Sequence, residues 1–284
     1  MHVNTLILGA GAAGLHCAAF SGPDTLVVDH AKAAGEKIRI SGGGRCNFTN
    51  LGTSAANFIS QNPHFAKSAL ARYTQWDFID LVDRHGIAWH EKALGQLFCD
   101  KSAKDIIAML LTEMAPTSDL WLQTEIGNIR YDGAGFHIAL KRHGQAQLIN
   151  ANNLVVATGG KSIPKMGATG LAYDIARQFG LEVTDTRAAL VPFTFSDERF
   201  KPIAGVAAPA RVTTQDGTQF DEALLFTHRG LSGPAVLQAS SYWQAGEDFT
   251  IDLIANTAFA EKLRRARQED GRKALTTVLG QMLP

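Results

Sequence analysis

The sequence has few cysteines, no long apolar run and no excess of charge, and each of these absences excludes a class of protein. Its three cysteines, Cys17, Cys46 and Cys99, are odd in number and form no C-x-x-C pair, so we expect neither a disulfide framework nor a zinc site. No apolar stretch approaches the roughly 20 residues that span a bilayer. The N-terminus also lacks the basic and apolar regions of a signal peptide. We therefore expect a cytoplasmic protein with no membrane partner.

The charge balance argues against a broad nucleic-acid surface. Lysine plus arginine number 27, and aspartate plus glutamate also number 27, which gives a formal net charge of zero. A surface that neutralises many phosphates needs an excess of positive charge. The balance still allows a local basic patch, but we expect no nucleic-acid partner. The nine histidines show no H-x-x-x-H or similar ligand spacing, so we expect no metal.

A dinucleotide-binding pattern lies at the N-terminus. The apolar run at residues 6–8 predicts a buried parallel strand, and GAGAAG follows at residues 9–14. Residues 15–20 then have a helical pattern. A second strand is predicted at residues 25–28, and it ends in Asp29, 20 residues after the first glycine. Strand, glycines, helix, strand and acid in this order predict a Rossmann-like unit.

Each part of this pattern has a physical role. Gly9 allows the tight turn, Gly11 lets the backbone approach a pyrophosphate, and Gly14 lets the helix pack closely on the strand. The helix N-terminus favours the phosphate charge. Asp29 can accept hydrogen bonds from ribose hydroxyls. The pattern therefore predicts a bound nucleotide cofactor.

A second glycine-rich segment, SGGGRCN, spans residues 41–47. Three consecutive glycines cost conformational entropy, so the run predicts close approach of the backbone to a ligand rather than a flexible surface loop. Its amide groups can donate to a flavin, and its arginine can serve a phosphate or the reduced flavin. Cys46 is either a redox thiol or a small residue packed against the cofactor, and we favour packing. The candidate contacts are Ser41, Gly42, Gly43, Arg45, Cys46 and Asn47.

A third glycine-containing segment follows the apolar strand predicted at residues 154–157. Thr158, Gly159 and Gly160 come directly after it. In a doubly wound sheet the ligand lies outside the carboxyl ends of the strands. The segment is thus either part of the ligand crevice or a simple turn after the strand.

A candidate substrate-side loop lies in LLFTHRGLSGPAVLQ, residues 224–238. His228 and Arg229 follow an apolar strand there, and the loop could reach over the active site. His228 would then bind substrate or transfer a proton. The alternative is a structural histidine in a loop.

The remaining periodicity outlines the organisation of the chain. Apolar residues every three positions predict one amphipathic helix over residues 70–86. Ser102, with Asp105 three residues later, predicts the start of another helix. Alternation over about 120–150 predicts a three-stranded β-meander. Residues 192–254 are β-rich, and a helical tail follows.

Four stretches carry a resemblance to a known family. They are GAGAAGL (9–15), GEKIRISGGGRCNFTN (35–50), VVATGGKSIPKMGATG (155–170) and LLFTHRGLSGPAVLQ (224–238). At these residues the chain resembles the aminoacetone-oxidase-like NAD(P)/FAD-dependent oxidoreductases, which are flavoproteins with two dinucleotide-binding domains. The resemblance implies an α/β fold. A Rossmann-like FAD-binding domain with the β-meander would occupy residues 1–190, and an inserted β-barrel and helical substrate-side domain would occupy residues 191–284.

The resemblance also implies a pose for the cofactor and a missing part of the chain. FAD would extend from the first glycine segment, with Ala12 and Ala13, past Lys37 to the flavin beside SGGGRCN. Gln96 would lie close to the flavin, and Ile126 would offer a backbone contact on the adenine side. The chain ends at Pro284 inside the helical part of the insert, whereas such flavoproteins continue beyond it. We therefore expect a C-terminally truncated member with an incomplete second domain.

These observations predict an FAD-dependent oxidoreductase that acts on a small or medium organic molecule, by amine oxidation or enoyl-type reduction. The chain has no second G-x-G-x-x-G, which favours direct redox of the substrate or transient docking of NAD(P)H as electron donor. A truncated, non-catalytic nucleotide-binding remnant is one alternative. A flavin-dependent RNA-modifying enzyme is another, and the neutral charge argues against it. The sequence indicates no oligomeric state.

Overall fold

The computed structural model describes residues 1–254, 258–269, 271–281 and 283. The chain divides into two compact units, Met1–Thr184 and Asp185–Pro284, close to the boundary placed at residue 190 from the sequence. None of the helices in these described ranges is long and apolar enough to cross a bilayer.

The first unit is an α/β domain, and its elements follow the chain in this order: β1 (His2–Leu8), α1 (Ala12–Phe20), β2 (Thr25–Val28), α2 (Glu36–Ile40), β3 (Asn47–Asn50), α3 (Lys67–Arg72), α4 (Gln75–Arg84), β4 (Trp89–Glu91), β5 (Gln96–Cys99), α5 (Ala103–Met114), β6 (Ser118–Trp121), β7 (Thr124–Tyr131), β8 (Phe136–Arg142), β9 (Gln145–Val156) and α6 (Leu171–Gln178).

The main sheet of this unit has the strand order β6-β2-β1-β9-β8-β7. The strands β6, β2, β1 and β9 run parallel, while β7, β8 and β9 form the antiparallel meander. The strand β9 belongs to both parts, because neither glycine nor proline interrupts residues 145–156. The prediction of a Rossmann-like α/β domain with a β-meander is confirmed.

Residues 6–8 of β1 and all of β2 are buried on both faces, which explains why the sequence is apolar there without alternation. Ile7 faces a layer that contains Leu15 of α1 and Leu110 of α5. Leu6 and Leu8 face the opposite layer, formed with the meander. The two layers hold the carboxyl ends of β1, β2 and β9 side by side.

The helix predicted over residues 70–86 is wrong, because two helices occupy this part of the chain. The backbone of Tyr73 is extended, and α4 begins anew at the N-cap residue Thr74. The N–H of Thr74 donates to the Asp77 carboxylate at 2.6 Å, and the Thr74 hydroxyl accepts from the Asp77 N–H. This capping box stabilises a new helix start. The helix start predicted at Ser102 is confirmed, since its hydroxyl accepts from the Lys104 N–H.

The second unit is β-rich and ends in helices, and its elements are β10 (Phe193–Thr194), β11 (Ala207–Thr214), β12 (Gln219–Thr227), β13 (Gly230–Ser232), α7 (Pro234–Tyr242), β14 (Phe249–Asp252), α8 (Phe259–Glu269) and α9 (Leu275–Leu279). Its antiparallel sheet has the order β10-β13-β12-β11-β14. The rings of Phe193 and Phe249, on the two outer strands, stack at 4.5 Å. The sheet therefore curls on itself in the manner of a barrel.

Candidate functional site

In the first glycine-rich segment, two glycines are needed for packing and a third faces open space. Gly9 has φ +110°, and a Cβ atom there would collide with the Ala157 carbonyl oxygen. A Cβ on Gly14 would collide with the Gly9 carbonyl oxygen. A Cβ on Gly11 would meet no atom within 4 Å. Gly9 and Gly14 are thus required for packing of the chain, whereas Gly11 borders space that a ligand can enter.

Asp29 organises the loops beside this segment. Its carboxylate accepts the N–H of Ala10 at 2.6 Å and the N–H of Ala31 at 2.8 Å. Its side chain is only 16% exposed. The carboxylate is therefore held at the carboxyl end of β2, next to the N-terminus of α1. Ala12 and Ala13 open that helix and are exposed, so the helix N-terminus is accessible to an anion.

The second glycine-rich segment forms a tight turn over Ser41–Gly44, in which Gly42 and Gly43 have left-handed backbone angles. A Cβ on Gly42 would lie 2.7 Å from the Phe98 ring, so this position is needed for packing. A Cβ on Gly43 would meet nothing within 4 Å. The loop is closed by the N–H of Cys46, which donates to the Ser41 carbonyl at 3.0 Å. The loop therefore presents a backbone closed by this hydrogen bond, with open space at Gly43.

The environment of Cys46 fits a packing residue. The side chain is buried, and burial raises the pKa of its thiol. A thiol acts as a nucleophile or redox centre through its thiolate. Of the two alternatives, the redox thiol therefore has the weaker support.

Lys37 joins the second segment to the loop after β9. Its Nζ donates to the Gly160 carbonyl at 3.4 Å and to the Ser162 hydroxyl at 3.2 Å. In the same loop, Gly159 has φ +73°. The Thr158 hydroxyl is buried and has no hydrogen-bond partner among the described residues. A buried hydroxyl without a partner points to a missing donor or acceptor, such as a ligand atom.

A cavity of about 570 Å³ lies beside the two segments. The predicted residues that line it are Ala12, Ala13, Lys37, Ser41, Cys46 and Asn47. Its other walls were not identified from the sequence, and they include His16, Phe48, Tyr73 and Phe78. The spacing of Thr74 and Asp77 was a signal for the helix boundary at this wall, because a capping box there starts α4 directly after Tyr73.

The aromatic wall contains a half-buried histidine. The His16 ring lies 4.7 Å from the Tyr73 ring and 4.9 Å from the Phe20 ring, between centroids. Burial lowers the pKa of His16, which favours the uncharged form of the ring. The cavity therefore combines an aromatic side, whose rings are tilted towards one another, with the polar groups of the glycine-rich segments.

Some predicted residues lie outside the cavity lining. Gln96 begins β5 and pairs with Asn50, and Ile126 lies in β7 opposite Leu140. Arg45 is exposed on the glycine-rich loop. The roles proposed for these three side chains stay predictions.

The substrate-side candidates form a turn in the second unit. His228 and Arg229 are exposed between β12 and β13. The Thr227 hydroxyl accepts from the Gly230 N–H at 3.0 Å and closes this turn. Their proposed contact with substrate stays a prediction. Among the described residues, no group of three or more His, Cys, Asp or Glu side chains could hold a metal ion.

The geometry of the first unit can hold an extended dinucleotide at the carboxyl ends of its parallel strands. The model of the HI0933-like protein Rossmann domain matches residues 3–261. The chain belongs to this family. The resemblance drawn from the sequence is therefore confirmed at the level of a Rossmann family.

Two relatives match almost the whole chain. The ribosomal RNA dihydrouridine synthase of Escherichia coli K12 is 49% identical over 99% of this chain and 71% of that protein. The protein of the same name from Haemophilus influenzae is 46% identical over 98% of this chain and 71% of its own length. A third relative, the 3-dehydro-bile acid delta(4,6)-reductase of Clostridium scindens, is 26% identical over 84% of this chain and 60% of that enzyme.

These relatives correct two expectations. The prediction of a small or medium organic substrate is wrong. The prediction that no nucleic acid is a partner is also wrong. Both relatives that match almost the whole of this chain are named for ribosomal RNA. They are not named as aminoacetone oxidases. The physical reason for the error is that a net charge of zero is a sum over the whole chain, and it does not report how charge is distributed along it.

Proposed function

We propose that this chain is an FAD-dependent enzyme that reduces uridine in ribosomal RNA to dihydrouridine. The observation that carries the proposal is the pair of glycine-rich segments that converge beside one cavity, each with one glycine open to a ligand. The two relatives at 49% and 46% identity support the choice of substrate.

The residues of the first unit fit FAD. The N-terminus of α1, with Gly11, would hold the pyrophosphate, and Asp29 would bind the adenosine ribose. The amide groups of residues 41–47 would bind the flavin. Thr158 offers a buried hydroxyl that has no partner in the part of the chain that the structure describes, and Lys37 holds its loop close to the second segment.

The reaction adds two electrons and two protons across the C5–C6 double bond of a uracil ring. Reduced FAD, when bound, would supply the hydride, a proton taken up from solvent would complete the addition, and NAD(P)H, oxidised to NAD(P)+, is the electron donor we propose for the flavin. The chain would contribute by stacking the base on a ring of the aromatic cavity wall formed by Phe48, Tyr73 and Phe78. Uracil must leave its stacked position to enter such a cavity.

The proposal is tested on the purified chain. We expect flavin absorption bands, FAD released on denaturation, and bleaching of the bands on addition of NADPH or NADH. The loaded protein is then incubated with the reduced nicotinamide and with unmodified Escherichia coli ribosomal RNA transcribed in vitro. Digestion to nucleosides and mass spectrometry should detect dihydrouridine, recognised by its gain of two hydrogens.

Two controls make the outcome decisive. The Escherichia coli relative, run on the same RNA, shows that the transcript is a competent substrate. The Gly11→Val variant, which we expect to lose FAD, should form no dihydrouridine. A chain that carries reducible FAD but leaves uridine unchanged, while the relative converts it, would overturn the substrate assignment. A chain that takes up no flavin would overturn the cofactor assignment.

A further inference from the structure

One long stretch of this neutral chain contains no acidic residue. Between Glu36 and Asp77 there is neither aspartate nor glutamate, although the whole chain has 27 of them. The basic residues in this stretch are Lys37, Arg39, Arg45, Lys67 and Arg72. A local excess of positive charge attracts polyanions even when the total charge is zero.

The second half of this stretch exposes large apolar side chains. Phe58 is 43% exposed, Phe65 is 69% exposed and Trp76 is 55% exposed. Most of residues 52–66 are exposed as well. Exposed aromatic rings and cations in one segment match the way proteins hold unpaired RNA, which stacks its bases on such rings and places its phosphates on lysine and arginine.

This surface continues into the cavity. Thr53, Leu70 and Tyr73 come from the same segment and line the cavity wall. Lys67 and Arg72 lie at the two ends of α3, which connects the exposed loop to Tyr73. An RNA strand on the exposed side of the segment would therefore have a nucleotide at the cavity mouth.

We propose that residues 51–76 form the RNA-docking surface of this protein. Phe58 and Phe65 stack on unpaired bases beside the target uridine, and Lys67 and Arg72 contact the phosphates. The partner is an unpaired or loop segment of RNA. This inference rests on the proposed function, and it adds the surface that brings the substrate to the site.

The stacking contribution is tested by fluorescence anisotropy with the complete chain. The probe is a fluorescein-labelled RNA hairpin with a uridine-containing unpaired loop. We expect the Phe58→Ser, Phe65→Ser double variant to weaken binding roughly fivefold or more, since each stacked base contributes measurably to affinity. The matched control is Leu148→Ser, an apolar side chain that is 57% exposed on β9 and should leave the affinity unchanged.

The phosphate contribution is tested by a salt series with the same probe. The slope of log affinity against log salt falls by about 0.7 for each lost phosphate contact on a single strand. The Lys67→Gln, Arg72→Gln double variant should therefore lower the slope by about 1.4. The Lys101→Gln, Lys104→Gln variant removes two other exposed lysines and should not change it.

The outcomes separate this inference from the proposed function. Unchanged affinity and salt slope in both test variants, with wild-type chain that still forms dihydrouridine, would overturn the docking surface alone. A wild-type chain that binds no RNA would overturn both. Light scattering is run in parallel. If the phenylalanine variant breaks up a self-associated form without altering RNA affinity, the surface joins two copies of the chain and the inference is wrong. Melting by circular dichroism confirms that the variants are folded.

Discussion

Substitutions of the glycines at positions 11 and 14 should separate ligand binding from folding. Gly11 is the N-cap of α1, has an ordinary φ of −85°, and leaves room for a side chain. Glycine is a better N-cap than valine, so Gly11→Val should cost about 1 kcal/mol. This cost corresponds to a fall in melting temperature of about 2–4 °C for a unit of this size. At Gly14, a Cβ collides with a backbone carbonyl, and overpacking of this kind costs about 1–3 kcal/mol or more.

The increase in melting temperature on addition of FAD should distinguish the wild-type chain from the Gly11→Val variant. At a concentration 100 times its Kd, a ligand stabilises the folded state by about 2.7 kcal/mol, or about 5–10 °C here. The wild-type chain should show this shift. Gly11→Val should show none, because its side chain fills the space through which the pyrophosphate approaches.

The assay is a thermal melt of each variant with and without FAD, together with the flavin content after gel filtration. Gly11→Ala is the matched variant with the smallest possible side chain. A full FAD-induced shift in Gly11→Val would refute the position of the pyrophosphate. A Gly14→Ala variant as stable as wild type would refute the packing argument.

Three further predictions concern Asp29, the Asp132–His137 pair and Cys46. Asp29→Ala should lower the free energy of unfolding, measured in urea, by about 2 kcal/mol, because two backbone N–H groups lose their acceptor. Asp29→Asn should lower it less. Equal stability of both variants and the wild-type chain would contradict this. In the β7–β8 turn, hydrogen bonds from the Ala134 N–H, the His137 ring and the Gly135 N–H lower the pKa of Asp132 to about 2, and the bond to Asp132 raises the pKa of His137. The pair therefore stabilises the fold fully between pH 3.8 and pH 6.5, the ordinary pKa values of aspartate and histidine. Its contribution is lost as pH falls towards 2 and also as pH rises through the raised pKa of His137. In the His137→Gln variant, the melting temperature should therefore depend less on pH above pH 6.5. Finally, Cys46→Ala should keep FAD and activity, and Cys46 in the folded chain should resist maleimide, since burial raises the pKa of its thiol; loss of activity in this variant would restore the redox-thiol alternative.

Features that depend on a few neighbouring residues could be predicted from the sequence. The apolar run before Gly9 is buried on both faces as a parallel strand, and Ser102 caps the helix that follows it. The helix predicted over residues 70–86 failed because its apolar spacing hid the capping box between Thr74 and Asp77. That box is itself local, so a search for caps as well as for periodicity would have divided the helix correctly.

The candidate site could be predicted only in part. Both glycine-rich segments were identified, but the sequence could not show that Gly11 and Gly43 face open space while Gly9 and Gly42 face other parts of the chain. Nor could it show that His16 lies in the same cavity wall as Tyr73.

The sequence by itself determined that a dinucleotide-binding α/β unit begins at the N-terminus, because turn sterics and strand burial follow from adjacent residues. The tertiary structure alone decided which loops meet. Lys37 reaches Gly160, 123 positions away, and Thr53, Leu70 and Tyr73 contribute to the cavity wall. The structure also showed that Phe58, Phe65 and Trp76 of the acid-free stretch remain in solvent. Contacts between distant segments depend on how helices pack on the sheet, and local spacing does not encode that packing.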